Sequence, residues 1–145
     1  MGPFIAEVQV AAAMEAVSKG CDLTVLPVET GILVEADRHI LAAALMNLLQ
    51  NAFKFTRPAS HVLLRAHAPN ASVLVEVEDE CGGLPQGKAE QLFRPFQQRG
   101  ADRSGVGLGL SISREGVEAN GGKLYVRNRP GKGCVFTIDL PRYCA

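Results

Sequence analysis

Gly105, Gly107 and Gly109 alternate along Ser104-Gly-Val-Gly-Leu-Gly-Leu110, between a polar, arginine-bearing segment and an apolar run of helical character. Glycine lets backbone N–H groups close on an anion, and a helix N-terminus adds donors and a positive dipole end. The chemistry that suits this arrangement is phosphate binding. A dinucleotide fingerprint fails on spacing, because Leu110 stands where GxGxxG needs glycine and no apolar strand precedes the cluster. A Walker loop fails too, with no Gly-Lys-Ser/Thr in the chain. Taken alone, the glycines point to a phosphate loop of another kind.

A second group lies upstream. At about 100° per residue, Asn47, Asn51 and Lys54 fall within an arc of roughly 60°, while Leu41, Leu45, Leu48, Leu49 and Ala52 centre on another face. Two carboxamides and an ammonium then project together from a helix that should be largely buried, and buried amides need partners. An amide oxygen can ligate a Mg²⁺ ion that carries phosphate, and Lys54 can neutralise phosphate charge; amides settled against backbone or water fit the same pattern. Asp79 ends the apolar run Val73-Leu-Val-Glu-Val-Glu-Asp79 before a Gly-Gly turn. A carboxylate there can accept from an exocyclic amine such as that of adenine, or simply serve the turn. Arg94, Arg99 and Arg103 offer guanidinium forks for a terminal phosphate, or merely solvate their loop. Phe93 and Phe96 can pin that loop to the body or bury area for its own sake.

Residues 4–19 form a leading helix or linker stopped by Gly20, and strand candidates follow at 21–26 and 31–36. Asp37 offers an N-cap to a helix running to about residue 55. His61–Ala68 and Ser72–Glu78 suggest an antiparallel hairpin across Pro69-Asn70-Ala71. Residues 80–106 are a long irregular segment, a helix is expected over about 107–120, and strands fit at 123–128 and 134–140. The order predicts one α+β domain over residues 1–145, a two-layer sandwich with helices on one face of the sheet.

Composition narrows the function classes. The chain has 145 residues, 47% of them apolar, enough for one sizeable core. Fifteen basic and fifteen acidic residues balance to zero, so there is no basic field of the kind that drives nucleic-acid binding. Any phosphate is held locally. No apolar run suggests a membrane span, and the start lacks the character of a signal peptide. Cys21, Cys81, Cys134 and Cys144 lie far apart with no CxxC, a pattern that gives little support to a zinc cage or redox dithiol and fits reduced thiols in a cytosolic setting.

In order, Asn47-Leu-Leu-Gln-Asn-Ala-Phe-Lys54, Asp79-Glu-Cys-Gly-Gly-Leu-Pro85, Phe93-Arg-Pro-Phe96, Gly105-Val-Gly-Leu-Gly-Leu110 and Gly131-Lys-Gly-Cys-Val-Phe136 closely resemble the catalytic ATP-binding domain of sensor histidine kinases. They look like its N box, first glycine box, F box, second glycine box and a trailing glycine motif, and the resemblance covers roughly residues 20–141. The family belongs to the GHKL ATPases, with DNA gyrase and the ninety-kilodalton heat-shock chaperone. The resemblance implies the Bergerat α/β sandwich, with a mixed, mostly antiparallel sheet. It implies Asn51 as Mg²⁺ ligand, Asn47 and Lys54 on the phosphates, Asp79 on the adenine amine, and Gly83, Gly105, Gly107, Gly109 and Leu110 around ATP. Residues 86–106 would be a mobile ATP lid.

Hydrolytic relatives typically carry a glutamate one helical turn before the metal-binding asparagine, where it activates water. Asn47 holds that place here, and an amide is no base, which favours a kinase over an ATPase. Cys81 departs from the family by standing where glycine is usual. His39, His61 and His67 lie in no phospho-acceptor motif and read as structural. The expected protein is therefore a histidine kinase lobe that does not autophosphorylate alone. It would pass the γ-phosphate of ATP to a histidine on a separate dimerisation domain, and indirectly to a response regulator, in the cytoplasm. A degenerate nucleotide-binding regulatory module and a serine-directed anti-sigma-factor kinase are the alternatives.

Overall fold

The computed structural model describes residues 1–57, 60–81, 109–129 and 131–143. Its elements are α1 (Gly2–Lys19), β1 (Asp22–Val25), α2 (Arg38–Phe55), β2 (His61–His67), β3 (Ser72–Glu78), α3 (Gly109–Ala119), β4 (Lys123–Arg129) and β5 (Gly133–Pro141). The strands form one sheet in the order β1-β2-β3-β5-β4. Among the described residues β1 and β2 run parallel and every other pair is antiparallel.

Alternation along the strands decides which face the helices cover. Val62, Leu64 and Ala66 of β2, Val75 and Val77 of β3, and Cys134, Phe136, Ile138 and Leu140 of β5 join one apolar cluster with Phe4, Ile5 and Val8 of α1 and Leu45, Leu48 and Leu49 of α2. The expected two-layer sandwich is thus observed, and α1 is part of the core rather than a tether. The opposite face carries polar pairs. There Glu76 is buried and its Oε1 accepts from Arg65 Nε at 2.9 Å, Arg65 Nη2 at 2.6 Å and His67 Nε2 at 2.8 Å.

The ends of the helices follow local chemistry. Asp37 caps α2 by accepting from His39 N at 2.9 Å and Ile40 N at 3.1 Å. Gly20 closes α1 at φ 71°, a left-handed conformation that lets Cys21 N reach Ala16 O at 3.1 Å.

The strand expected at 31–36 is not there. Ile32 is buried and Leu33 O accepts from Tyr143 N at 2.8 Å, but the segment has no ladder partner among the described residues. β-propensity alone does not make a strand; a neighbouring edge does. The hairpin, the last two strands and the helices match the expected order, with α3 described from Gly109 onward.

Candidate functional site

The apolar face of α2 buries Leu41, Ala44, Leu45, Leu48, Leu49, Ala52 and Phe53, which turns the Asn47, Asn51 and Lys54 stripe toward the edge of the helical layer. Asn47 Nδ2 donates to Ser113 Oγ of α3 at 3.0 Å, so the stripe is tied to the helix that follows the second glycine cluster. Asn51 holds a side-chain nitrogen that is buried and has no hydrogen-bond partner among the described residues. A buried amide nitrogen without a partner costs on the order of 1–3 kcal/mol, so this position calls for a group that the described residues do not supply. Lys54 Nζ lies 5.2 Å from the centre of the Phe55 ring.

Asp79 continues the odd-numbered register of Val73, Val75 and Val77, so it falls on the helix-covered side of the sheet, and it is 1% exposed. Its Oδ1 accepts from Cys134 N at 3.1 Å and Cys81 N at 3.2 Å, and its own N–H donates to Cys134 O at 3.0 Å. Gly133 makes this possible. A Cβ there would lie 1.9 Å from Asp79 O, so no side chain is tolerated where β5 crosses the end of β3.

The stripe and the acid meet at the same end of the molecule. Thr56, which caps the C-terminus of α2, accepts from Glu80 N at its Oγ1 at 3.1 Å, and Arg57 N donates to Glu80 O at 3.2 Å. The helix that presents Asn51 is therefore stitched directly to the residue after Asp79. A cavity of about 220 Å³ beside Asp79, bordered by Arg57, Glu78 and Arg129, opens instead toward the polar face. There Arg129 Nη1 and Glu78 Oε1 pair at 2.6 Å.

Gly109 begins α3 with nothing among the described residues within 4 Å of where a Cβ would be, so their packing does not require glycine there. Leu110 follows, partly buried against the core. Gly83, Gly105 and Gly107, the 86–106 lid segment, Phe93, Phe96 and the three loop arginines lie outside the described residues.

Some roles were invisible in sequence. Ser113 and Thr56 carried no signal beyond being hydroxyls near helix turns. Gly133 stood inside a glycine motif but without a reason. The described cysteines are free, as expected of reduced thiols, but their spacing in sequence hid one contact: Cys81 and Cys134, 53 positions apart, bring their Sγ atoms to 3.8 Å, because β3 and β5 pair and pass their ends side by side.

Residues 36–143 match the model of the histidine kinase-, DNA gyrase B-, and HSP90-like ATPase family. The chain belongs to that family. It is 34% identical over 108 residues to the alginate biosynthesis sensor protein KinB of Pseudomonas aeruginosa, covering 74% of this chain and 18% of that protein. It is 42% identical over 107 residues to the sensor protein KdpD of Mycobacterium tuberculosis, covering 72% of this chain and 12% of KdpD. The chain thus spans less than a fifth of the length of these relatives. Among solved structures, the nucleotide-free catalytic domain of histidine kinase ThkA superposes with a TM-score of 0.83 at 29% identity, covering 98% of this chain and 92% of that one. Full-length ShkA in complex with AMPPNP superposes at 0.86 and 29% identity, covering 99% of this chain and 30% of ShkA. The fold is that of a histidine kinase catalytic domain.

Proposed function

We propose that this chain is the ATP-binding lobe of a two-component sensor kinase, which presents the γ-phosphate of ATP to a histidine on a separate helical dimerisation domain and, through it, serves a response regulator. The observation that carries this reading is the junction of α2 with β3. There a 1%-exposed carboxylate and a buried amide nitrogen without a partner among the described residues stand on elements joined by Thr56, Arg57 and Glu80.

Each group then has one task. Asp79, its Oδ1 fixed by two backbone N–H groups, accepts from the exocyclic amine of adenine. Asn51 fits a Mg²⁺ ligand: the oxygen and nitrogen of an amide exchange by a simple flip, and an oxygen placed at the unpartnered position suits a hard cation. The ion would neutralise phosphate charge. Lys54 adds a positive charge beside it, and Asn47 keeps one amide hydrogen for phosphate while the other serves Ser113. The N-terminus of α3 at Gly109 offers backbone N–H groups to an anion. Asn47 cannot act as a base on water, so the site protects its phosphate for transfer to an acceptor. Catalysis of this type is positioning and charge stabilisation. No helix among the described residues is long and apolar enough to cross a membrane, and a lobe working on ATP with reduced thiols suits the cytoplasm.

Calorimetric titration with an ATP analogue, with and without Mg²⁺, tests the assignment. Asp79→Ala abolishes binding, whereas Asn51→Ala removes chiefly the part of the affinity that depends on Mg²⁺; two variants that bind like the parent would refute both roles. Supplying a histidine-bearing dimerisation domain and labelled ATP then reads the transfer. Acid-labile phosphate supports it, acid-stable phosphate points to a serine kinase, and none to a regulatory module.

A further inference from the structure

The ends of β3 and β5 gather three side chains of a type that bind borderline-soft metals. Ligand atoms of Asp79, Cys81 and Cys134 all lie within 4.8 Å of one another. The two Sγ atoms are 3.8 Å apart and neither thiol is in a disulfide. Two thiolates bound to one tetrahedral ion at about 2.3 Å each stand about 3.8 Å from each other, so the sulfurs already occupy two corners of such a site. A disulfide would instead require them to close to about 2.05 Å. Gly133 and the three hydrogen bonds around Asp79 hold the cluster in place. Cys134 and Asp79 are buried, while Cys81 is partly exposed and gives the ion its way in.

We propose that Asp79, Cys81 and Cys134 form a binding site for a zinc-like divalent cation, and that the bound cation excludes adenine from the site. Two sulfur donors select a borderline-soft ion over Mg²⁺, which wants oxygen ligands in octahedral array. The carboxylate supplies the third donor and water the fourth. Binding replaces the two thiol protons, which leave to solvent, and involves no change of oxidation state. The exclusion rests on the reading that Asp79 receives the adenine amine, since a carboxylate drawn onto a cation no longer accepts from that amine. The metal site itself does not depend on it.

The test begins with the metal-free chain. Co²⁺ titrated into it without nucleotide should give a thiolate-to-metal charge-transfer band that saturates at one equivalent, is bleached by Zn²⁺, and is lost in Cys81→Ser and in Cys134→Ser. Cys81 is the partly exposed partner, so Cys81→Gly with an unchanged far-ultraviolet spectrum serves as the second variant if a serine at Cys134 disturbs folding. Absence of the band, or its survival in these variants, overturns the site.

Affinity for a fluorescent ADP analogue is then read with Zn²⁺ held by a metal buffer at about ten times its own Kd. Simple competition lowers the apparent affinity about elevenfold, and the response vanishes in Cys81→Gly. Failure of the metal-free chain to bind the analogue refutes the nucleotide reading while the cobalt spectrum still judges the site. Binding without a cobalt band refutes the site alone, and a band with nucleotide affinity indifferent to Zn²⁺ overturns the exclusion.

Discussion

Replacing Gly133 by alanine probes the point on which the acid depends. The added Cβ would lie 1.9 Å from Asp79 O, 2.7 Å from the Asp79 carbonyl carbon and 3.0 Å from Asp79 Oδ1. Both close neighbours are backbone, so no side chain can swing aside. Restoring even 3.0 Å to the carbonyl oxygen parts β5 from the end of β3 by about 1.1 Å. That stretches Asp79 N to Cys134 O from 3.0 Å and Cys134 N to Asp79 Oδ1 from 3.1 Å, beyond hydrogen-bonding range. Two buried hydrogen bonds lost at about 1–1.5 kcal/mol each, plus about 1–3 kcal/mol of overpacking strain, give about 3–6 kcal/mol. A domain of this kind holds only about 5–15 kcal/mol in all. Urea unfolding followed by circular dichroism should show this loss, and the folded remainder should bind nucleotide at least about tenfold more weakly, a difference of about 1.4 kcal/mol. An unfolding free energy within about 0.5 kcal/mol of the parent, as surface substitutions usually give, would refute the account of the β3–β5 crossing.

Gly109→Ala is the counterpart. Nothing among the described residues lies within 4 Å to oppose its Cβ, and alanine favours a helix by about 0.5–1 kcal/mol, so stability should hold or rise while ATP affinity falls in the same titration. Asp37→Ala removes the acceptor of His39 N and Ile40 N. It should lower the unfolding free energy by about 1 kcal/mol, measured in urea, with little effect on nucleotide affinity. Burial alone would raise the Glu76 carboxyl, but hydrogen bonds and charge from His67 and Arg65 outweigh it and hold the group below its ordinary range. A depressed acid stabilises the fold above its unfolded pKa of about 4.3 and loses that contribution as pH falls toward the folded value. Glu76→Gln should therefore lower stability at pH 7 and flatten its decline below about pH 4.3, read from melting temperature against pH; an unaltered acid limb would count against the role of this cluster.

The helix α2 was legible because everything it needs is local. Asp37 caps it, leucines at helical spacing mark its buried face, and Asn47, Asn51 and Lys54 follow from the same rotation. The β2–β3 hairpin was equally legible from two β-rich runs around a short turn. Residues 31–36 misled for the complementary reason: their composition suits a strand, but the segment joins no ladder among the described residues, and Leu33 O accepts a single bond from Tyr143 N instead. The Cys81–Cys134 contact and the Asn47–Ser113 bond span 53 and 66 positions, and no local pattern announces either.

From the sequence alone, then, came the kinds of groups available and the element carrying each: carboxamides on a capped helix, an acid at a strand end, glycines before a helix. Short-range sterics and periodicity write these into neighbouring residues. Tertiary structure alone decided that Asp79 is sealed beneath β5, that Thr56 and Glu80 lock it to α2, and that two distant thiols stand over it. Those contacts depend on which strands pair and in what register. Burial of the whole apolar face settles that choice, and no single segment does.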